Sequence, residues 1–151
     1  AFGSQHVQVP VQGLALFIDY GLPRREYYHP SRNSGTLRCH YRQLAHEDPF
    51  RHPGLEDITA WVDFTRVAEA AEAAGLDVLG YTTQAGLLLS LGLEKQVAQA
   101  ADEASRIRLA SQARQLVMPT EMGETFKAIA LGRGIDQPLL GFALQDLMER
   151  L

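Results

Sequence analysis

Gly13-Leu14-Ala15-Leu16-Phe17-Ile18-Asp19-Tyr20-Gly21 is an unbroken apolar run that stops abruptly at an acid, a phenol and a glycine. A run without alternation belongs in a parallel sheet, where helices cover both faces of the strand. In open α/β sheets, ligands and reacting groups collect just beyond the carboxyl ends of such strands. That puts Asp19 and Tyr20 where chemistry is done, with Gly21 expected to let the chain turn sharply away.

Further along, Asp63 stands before the helical stretch Phe64–Ala74, and Gly75 follows it. A carboxylate in that place accepts the orphan N–H groups of the first turn, and glycine takes the left-handed stop position. Phe64, Val67, Ala71 and Ala74 share one face at helical spacing, which suits packing on a sheet. Leu76–Thr83 then reads as a second strand, so strand, helix and strand form an α/β layer. Between the first strand and this helix lies a polar stretch, Leu22 to Leu55. There Arg24, Arg25, Arg32, Arg38, Arg42 and Arg51 outnumber Glu26, Glu47 and Asp48. A connection that long without secondary structure is usually functional or mobile.

Residues 85–116 read as helical throughout, with Leu87, Leu88, Leu91 and Leu93 forming an apolar patch before a longer helix from Glu94 to Leu116. Phe126–Gly132 reads as a short final strand, and Phe142–Leu151 has helical periodicity. The expected division is a leader or expression remnant over 1–12, an α/β unit over 13–134 with its helical insertion at about 85–116, and a helical tail over 135–151.

A chain of 151 residues can bury a sizeable core. It is 46% hydrophobic and 21% charged, with a formal net charge of -4. Mild acidity argues against general nucleic-acid binding, which wants a basic face. No apolar run approaches a membrane span, and the opening residues are not expected to act as a signal peptide. A lone cysteine, Cys39, excludes an internal disulfide framework and is compatible with a reducing compartment. The expectation is therefore a cytoplasmic protein with neither nucleic acid nor membrane as partner.

Several blocks match a family in order and spacing. They are Phe17-Ile18-Asp19-Tyr20-Gly21, Tyr28-His29-Pro30 with Arg32, Gly35-Thr36-Leu37, Asp57-Ile58-Thr59-Ala60, Val62-Asp63-Phe64, Thr82-Thr83-Gln84, and Met122-Gly123-Glu124 with Phe126-Lys127. From Gly13 to Gly134 the chain resembles the MidA family of S-adenosylmethionine-dependent methyltransferases. The resemblance implies the carboxyl-terminal half of a Rossmann-like class I methyltransferase sheet. The strand at Asp19 would be the fifth, the strand at Thr83 the sixth, and Phe126–Gly132 the antiparallel seventh, preceded by a helical insertion. It also implies protein arginine N-methylation, since the family includes an arginine methyltransferase that assembles respiratory complex I, with a complex I subunit or its bacterial counterpart as substrate. Three departures stand out. The glycine-rich cofactor turn and the first four strands are missing, Gln5–Gln12 does not read as a helix, and Trp61 stands where a histidine is expected. The implied role is the substrate-side wall of a longer enzyme, with this chain inactive alone. The rivals are a stand-alone protein-interaction module and a homo-oligomer joined through an open sheet edge.

Methyl transfer to nitrogen needs positioning, desolvation and a carboxylate to orient a cationic nucleophile. Asp19, Tyr20 and Asp57 are the catalytic candidates, with Glu56 beside Asp57; Asp63 is read instead as a helix cap. Tyr28, His29, Arg32, Gly35 and Thr36 are the substrate-binding candidates. Tyr20, Tyr27, Tyr28 and Phe50 either wall a channel or pack a lid. Arg32 either binds a carboxylate or pairs with Glu47, Asp48 or Glu56. His29, His40, His46, His52 and Cys39 lack the tight paired spacing of zinc motifs, so no metal is assigned.

Overall fold

The computed structural model describes residues 12–151, so the leader expected over 1–12 lies outside the described residues except for Gln12. Twelve regular elements follow among the described residues. They are β1 (Gly13–Leu22), α1 (Arg24–Tyr27), β2 (Arg38–Tyr41), β3 (Leu44–His46), β4 (Asp57–Thr59), β5 (Val62–Asp63), α2 (Phe64–Ala73), β6 (Asp77–Thr83), α3 (Gln84–Ser90), α4 (Leu93–Ala98), α5 (Glu103–Val117) and β7 (Phe126–Arg133).

Alternation along β7 sets the layers, because successive side chains of a strand point to opposite faces. Ile129 and Leu131 meet Phe64, Ala68 and Ala71 of α2, together with Tyr81. Ala128 and Ala130 face the other way, onto Leu87 of α3 and Phe142. The main sheet is therefore covered on both faces, and its order is β5-β1-β7-β6. β7 runs antiparallel to both neighbours, from Gly13↔Arg133 to Tyr20↔Phe126 on one side and from Asp77↔Gly132 to Thr83↔Lys127 on the other. β5 is parallel to β1 but pairs only with Gly21 and Leu22. Along the rest of that edge, Leu14, Leu16, Phe17 and Ile18 are about half exposed. The run expected to lie buried between neighbours is thus covered on one flank alone.

The helix after Asp63 forms as expected. Asp63 accepts a hydrogen bond from the Arg66 N–H at 3.1 Å, and Gly75 stops the helix at φ +76°. Other expectations need correction. β1 continues through Gly21 to Leu22, and Gly21 does not turn the chain. A Cβ on Gly21 would lie 2.3 Å from the Val62 carbonyl oxygen, so glycine is needed for the close approach of β5. The polar stretch from Leu22 to Leu55 is not a structureless loop. Together with the residues up to Thr59 it forms α1 and a second sheet, of order β3-β2-β4. Its β2–β3 hairpin turns on Arg42 (φ +48°) and Gln43 (φ +67°), left-handed positions that glycine or asparagine usually marks.

The helical segment from Glu94 to Leu116 is also broken. α4 ends at Ala98, and Asp102 caps a new helix by accepting from the Ser105 N–H at 2.8 Å. The tail is not a helix but two short 3-10 turns, Leu140–Phe142 and Met148–Arg150. Tertiary hydrogen bonds override its periodicity. The Thr82 and Thr83 hydroxyls donate to the Gln145 side-chain carbonyl at 3.0 and 2.8 Å, and the Leu147 N–H donates to the Tyr81 carbonyl at 2.6 Å.

Candidate functional site

Pro23, buried, starts α1 directly after β1, and two contacts pin this short helix. The Arg24 guanidinium forks onto the Glu69 carboxylate of α2, which holds Glu69 below the usual carboxylate range. At the other side, Arg150 of the tail reaches Glu26. Beyond α1 the Arg32 N–H donates to the His29 carbonyl at 2.8 Å and the Gly35 N–H to the Arg32 carbonyl at 3.1 Å. Gly35 closes this double turn at φ +76°, and it faces open space, since a Cβ there would meet nothing within 4 Å.

The double turn presents Thr36. Its hydroxyl accepts from the Trp61 N–H at 3.2 Å and lies 3.1 Å from the Tyr27 hydroxyl. The Arg32 guanidinium sits over the Trp61 ring, 5.7 Å from its centroid, and donates to the Glu26 carbonyl. A cleft of about 240 Å³ results, lined by Ser31, Arg32, Ser34, Gly35, Thr36, Arg38 and Trp61. Guanidinium groups, hydroxyls and one aromatic face give it a lining of the chemistry that suits a carboxylate or another anionic group.

Three of the substrate-binding candidates, Arg32, Gly35 and Thr36, thus line one cleft. Tyr28 does not line it; it stacks edge-on against Tyr27 at 4.9 Å and is largely exposed. His29 is engaged locally, 2.8 Å from the Ser31 hydroxyl. None of the catalytic candidates lines the cleft. Asp19 lies within β1 opposite Lys127, and its carboxylate accepts from the Tyr20 N–H at 2.8 Å. Lys127 is buried, which pulls its ammonium below the ordinary lysine range, and it donates to the Glu124 carbonyl. Tyr20 packs edge-on against Phe126 at 5.6 Å. Asp57 is exposed in β4, opposite His40, and Phe50 is exposed on the surface. Arg32 forms no ion pair with Glu47, Asp48 or Glu56: Arg38 takes Glu47 at 2.8 Å, and Glu56 approaches His46 at 2.9 Å. Trp61, conspicuous in sequence only as a departure from the family, proves to be a wall of the cleft.

The small sheet brings together Cys39, His46 and Glu56, whose donor atoms all lie within 4.8 Å of one another. Burial raises the Cys39 thiol above its ordinary range. Sequence inspection misses this group because its members are separated by six and nine intervening residues and meet only across strands.

A nucleotide-like cofactor needs glycines at a strand-to-helix turn with open space for close backbone approach. The described residues do not offer one. Gly21 is filled by the Val62 backbone, and a Cβ on Gly86, in the first turn of α3 after β6, would lie 2.7 Å from the Gln145 side chain. Gly132 and Arg133 end β7, Gly134 follows, and no α-helix comes after them among the described residues. These residues by themselves do not fit S-adenosylmethionine, and no transfer step is assigned to them.

A mixed sheet covered on both faces by helices, with an antiparallel strand between two parallel ones, defines an open α/β protein, a class that binds its ligands beyond the carboxyl ends of the strands. The family described as "Putative S-adenosyl-L-methionine-dependent methyltransferase" matches residues 3–82. A crystal structure of an uncharacterized superfamily protein from Burkholderia thailandensis is 48% identical, with a TM-score of 0.89 over 93% of this chain and 38% of that one. A second, of a superfamily member from the same organism bound to S-adenosyl-homocysteine, is 48% identical, with a TM-score of 0.85 over 92% of this chain and 36% of that one. Among curated relatives, the Drosophila melanogaster mitochondrial protein arginine methyltransferase NDUFAF7 homolog is 32% identical over 87% of this chain and 30% of its own length. The Danio rerio mitochondrial protein arginine methyltransferase NDUFAF7 is 30% identical over 76% of this chain and 26% of its own. The chain belongs to this methyltransferase family, the MidA family, whose cofactor is S-adenosylmethionine. It spans about a third of the length of the relatives it matches.

Proposed function

We propose that this chain is the carboxyl-terminal part of a class I methyltransferase that N-methylates an arginine of a protein substrate, and that it supplies the substrate-side wall. The observation that carries this reading is the sheet order β5-β1-β7-β6, in which an antiparallel β7 separates the parallel β1 and β6. In this reading β1, β6 and β7 are the last three strands of the Rossmann-like sheet, and α3, α4 and α5 are its helical insertion. The half-exposed apolar edge of β1 is where the remaining strands would pair, and an apolar groove of about 420 Å³ beside Leu14 and Leu16 would be covered with them. The acceptor comes from the relatives, which are named as arginine methyltransferases.

The cleft at Arg32 then has a defined task. It is basic and does not suit a guanidinium, so it holds a carboxylate of the substrate chain while acids elsewhere orient the arginine. The test is transfer of radiolabelled methyl from S-adenosylmethionine by the full-length protein to a protein acceptor, with the site located by mass spectrometry. Label on arginine is expected. Binding of cofactor with label confined to a small molecule or to another residue type would overturn the reading.

A further inference from the structure

We propose that Cys39, His46 and Glu56 bind a zinc ion that ties the small sheet together. The backbone register builds the site. Cys39 of β2 stands directly opposite His46 of β3 and opposite Ile58 of β4, so Cys39 and His46 project from the same face. Glu56 precedes Ile58 by two residues, and the period of a strand returns its side chain to that face. Three chain segments thus deliver a sulfur, a nitrogen and an oxygen to one point, all within 4.8 Å of one another. Tetrahedral zinc, with bonds of about 2.3 Å to sulfur and about 2.0 Å to nitrogen or oxygen, separates its donors by roughly 3.3–3.6 Å, so only a small contraction is needed.

Two further observations point to an ion. The Glu56 side chain is fully buried, yet neither carboxylate oxygen has a hydrogen-bond partner among the described residues, and neither ring nitrogen of His46 has one. The 2.9 Å approach of His46 Nε2 to Glu56 is therefore a contact of donor atoms without a directed hydrogen bond. A carboxylate taken out of water calls for a cation or a set of donors. The second observation is the lack of a core. Among residues 24–61 the only buried apolar residue is Cys39, while Leu44, Phe50, Leu55 and Ile58 are more than half exposed. Small units that cannot bury enough apolar surface are commonly held by a disulfide or a metal, and a single cysteine leaves the metal.

The donor set selects the ion. One thiolate, one imidazole and one carboxylate suit zinc, whereas magnesium and calcium take oxygen donors. The fourth position is left to water, with the His52 ring 6.1 Å from that of His46. Cys39 is one residue from Arg38, which lines the cleft, so the ion would fix one wall of the substrate-side cleft without entering it.

Elemental analysis of the full-length protein, purified without a metal-affinity tag, is the first measurement. One zinc per chain is expected, with a loss of at least tenfold in retained zinc for both Cys39→Ser and Glu56→Gln. Cobalt(II) replacing zinc is expected to show a thiolate-to-cobalt charge-transfer band that Cys39→Ser abolishes while circular dichroism shows the variant folded. Substoichiometric zinc in the wild-type protein, even after incubation with excess zinc and desalting, would overturn the site. So would equal cobalt spectra for wild type and Cys39→Ser.

Discussion

Tyr81 offers the sharpest test of how the core is built. Its side chain is fully buried, its ring centroid 5.4 Å from that of Phe64, in a cluster with Ile129 and Leu131. Its hydroxyl has no hydrogen-bond partner among the described residues. A buried polar group without a partner carries a desolvation cost of about 1–3 kcal/mol. Tyr81→Phe removes the group and keeps the ring, so it should stabilise the protein by about 1 kcal/mol at neutral pH after a small allowance for the lost oxygen's contacts. The pH dependence follows from the same burial. Burial, and secondarily Glu26, push the Tyr81 pKa well above its ordinary value, while Arg150 opposes the shift. Above about pH 10 the unfolded chain releases this proton and the folded chain keeps it, so stability falls as pH rises, by up to about 1.4 kcal/mol per pH unit. Below that pH both states hold the proton and Tyr81 contributes no slope. Burial lowers the Lys127 pKa and gives a contribution of opposite sign, stability rising with pH from the lowered value toward the ordinary one. That contribution is common to both proteins and cancels in their difference. Urea titrations of wild type and Tyr81→Phe at pH 7, 9, 10 and 11 should show a variant that is more stable throughout and gains further on wild type above pH 10. A variant less stable than wild type by about 1 kcal/mol or more, with an unchanged alkaline slope, would refute the packing described for Tyr81.

Three other substitutions probe the frame of the fold. Gly21→Ala places a Cβ 2.3 Å from the Val62 carbonyl oxygen and 2.8 Å from the Phe64 ring, so β5 must retreat. The expected cost is about 1–3 kcal/mol in a denaturant titration. Asp63→Ala removes the acceptor of the Arg66 N–H and should cost about 1 kcal/mol in the same assay, with Asp63→Asn retaining most of the capping. Gln145→Ala leaves the Thr82 and Thr83 hydroxyls without their acceptor, so the tail should loosen by about 1–3 kcal/mol. Hydrogen exchange would show it as faster exchange of the Leu147 amide, which donates to Tyr81.

Legibility in the sequence followed the locality of each signal. The cap at Asp63, the stop at Gly75 and the strands at β6 and β7 rest on neighbours a few residues apart, and their identities alone specify them. The small sheet was not legible. Its hairpin turn uses Arg42 and Gln43 at left-handed positions, and its strands are short, polar and poorly buried, so neither turn chemistry nor periodicity announces them. The tail shows the opposite failure. Phe142–Leu151 carries a helical pattern, but Gln145 and Leu147 find partners on β6 that a helix would deny them. The cleft was half legible: Arg32, Gly35 and Thr36 sit on a local turn, whereas Arg38 and Trp61 join them only through the second sheet and the start of β5. Cys39, His46 and Glu56 met nowhere in the sequence, since cross-strand register alone unites them.

Whether this chain supplies the substrate side of the enzyme without the cofactor grip is tested most directly by calorimetric titration of S-adenosyl-homocysteine. The same titration is run on the 151-residue chain, shown to be folded by circular dichroism, and on the longer protein proposed to contain it. Binding by the longer protein and none by the folded chain is the predicted result. Binding by the chain alone would contradict it, because a cofactor pocket would then exist among residues that offer no open glycine turn.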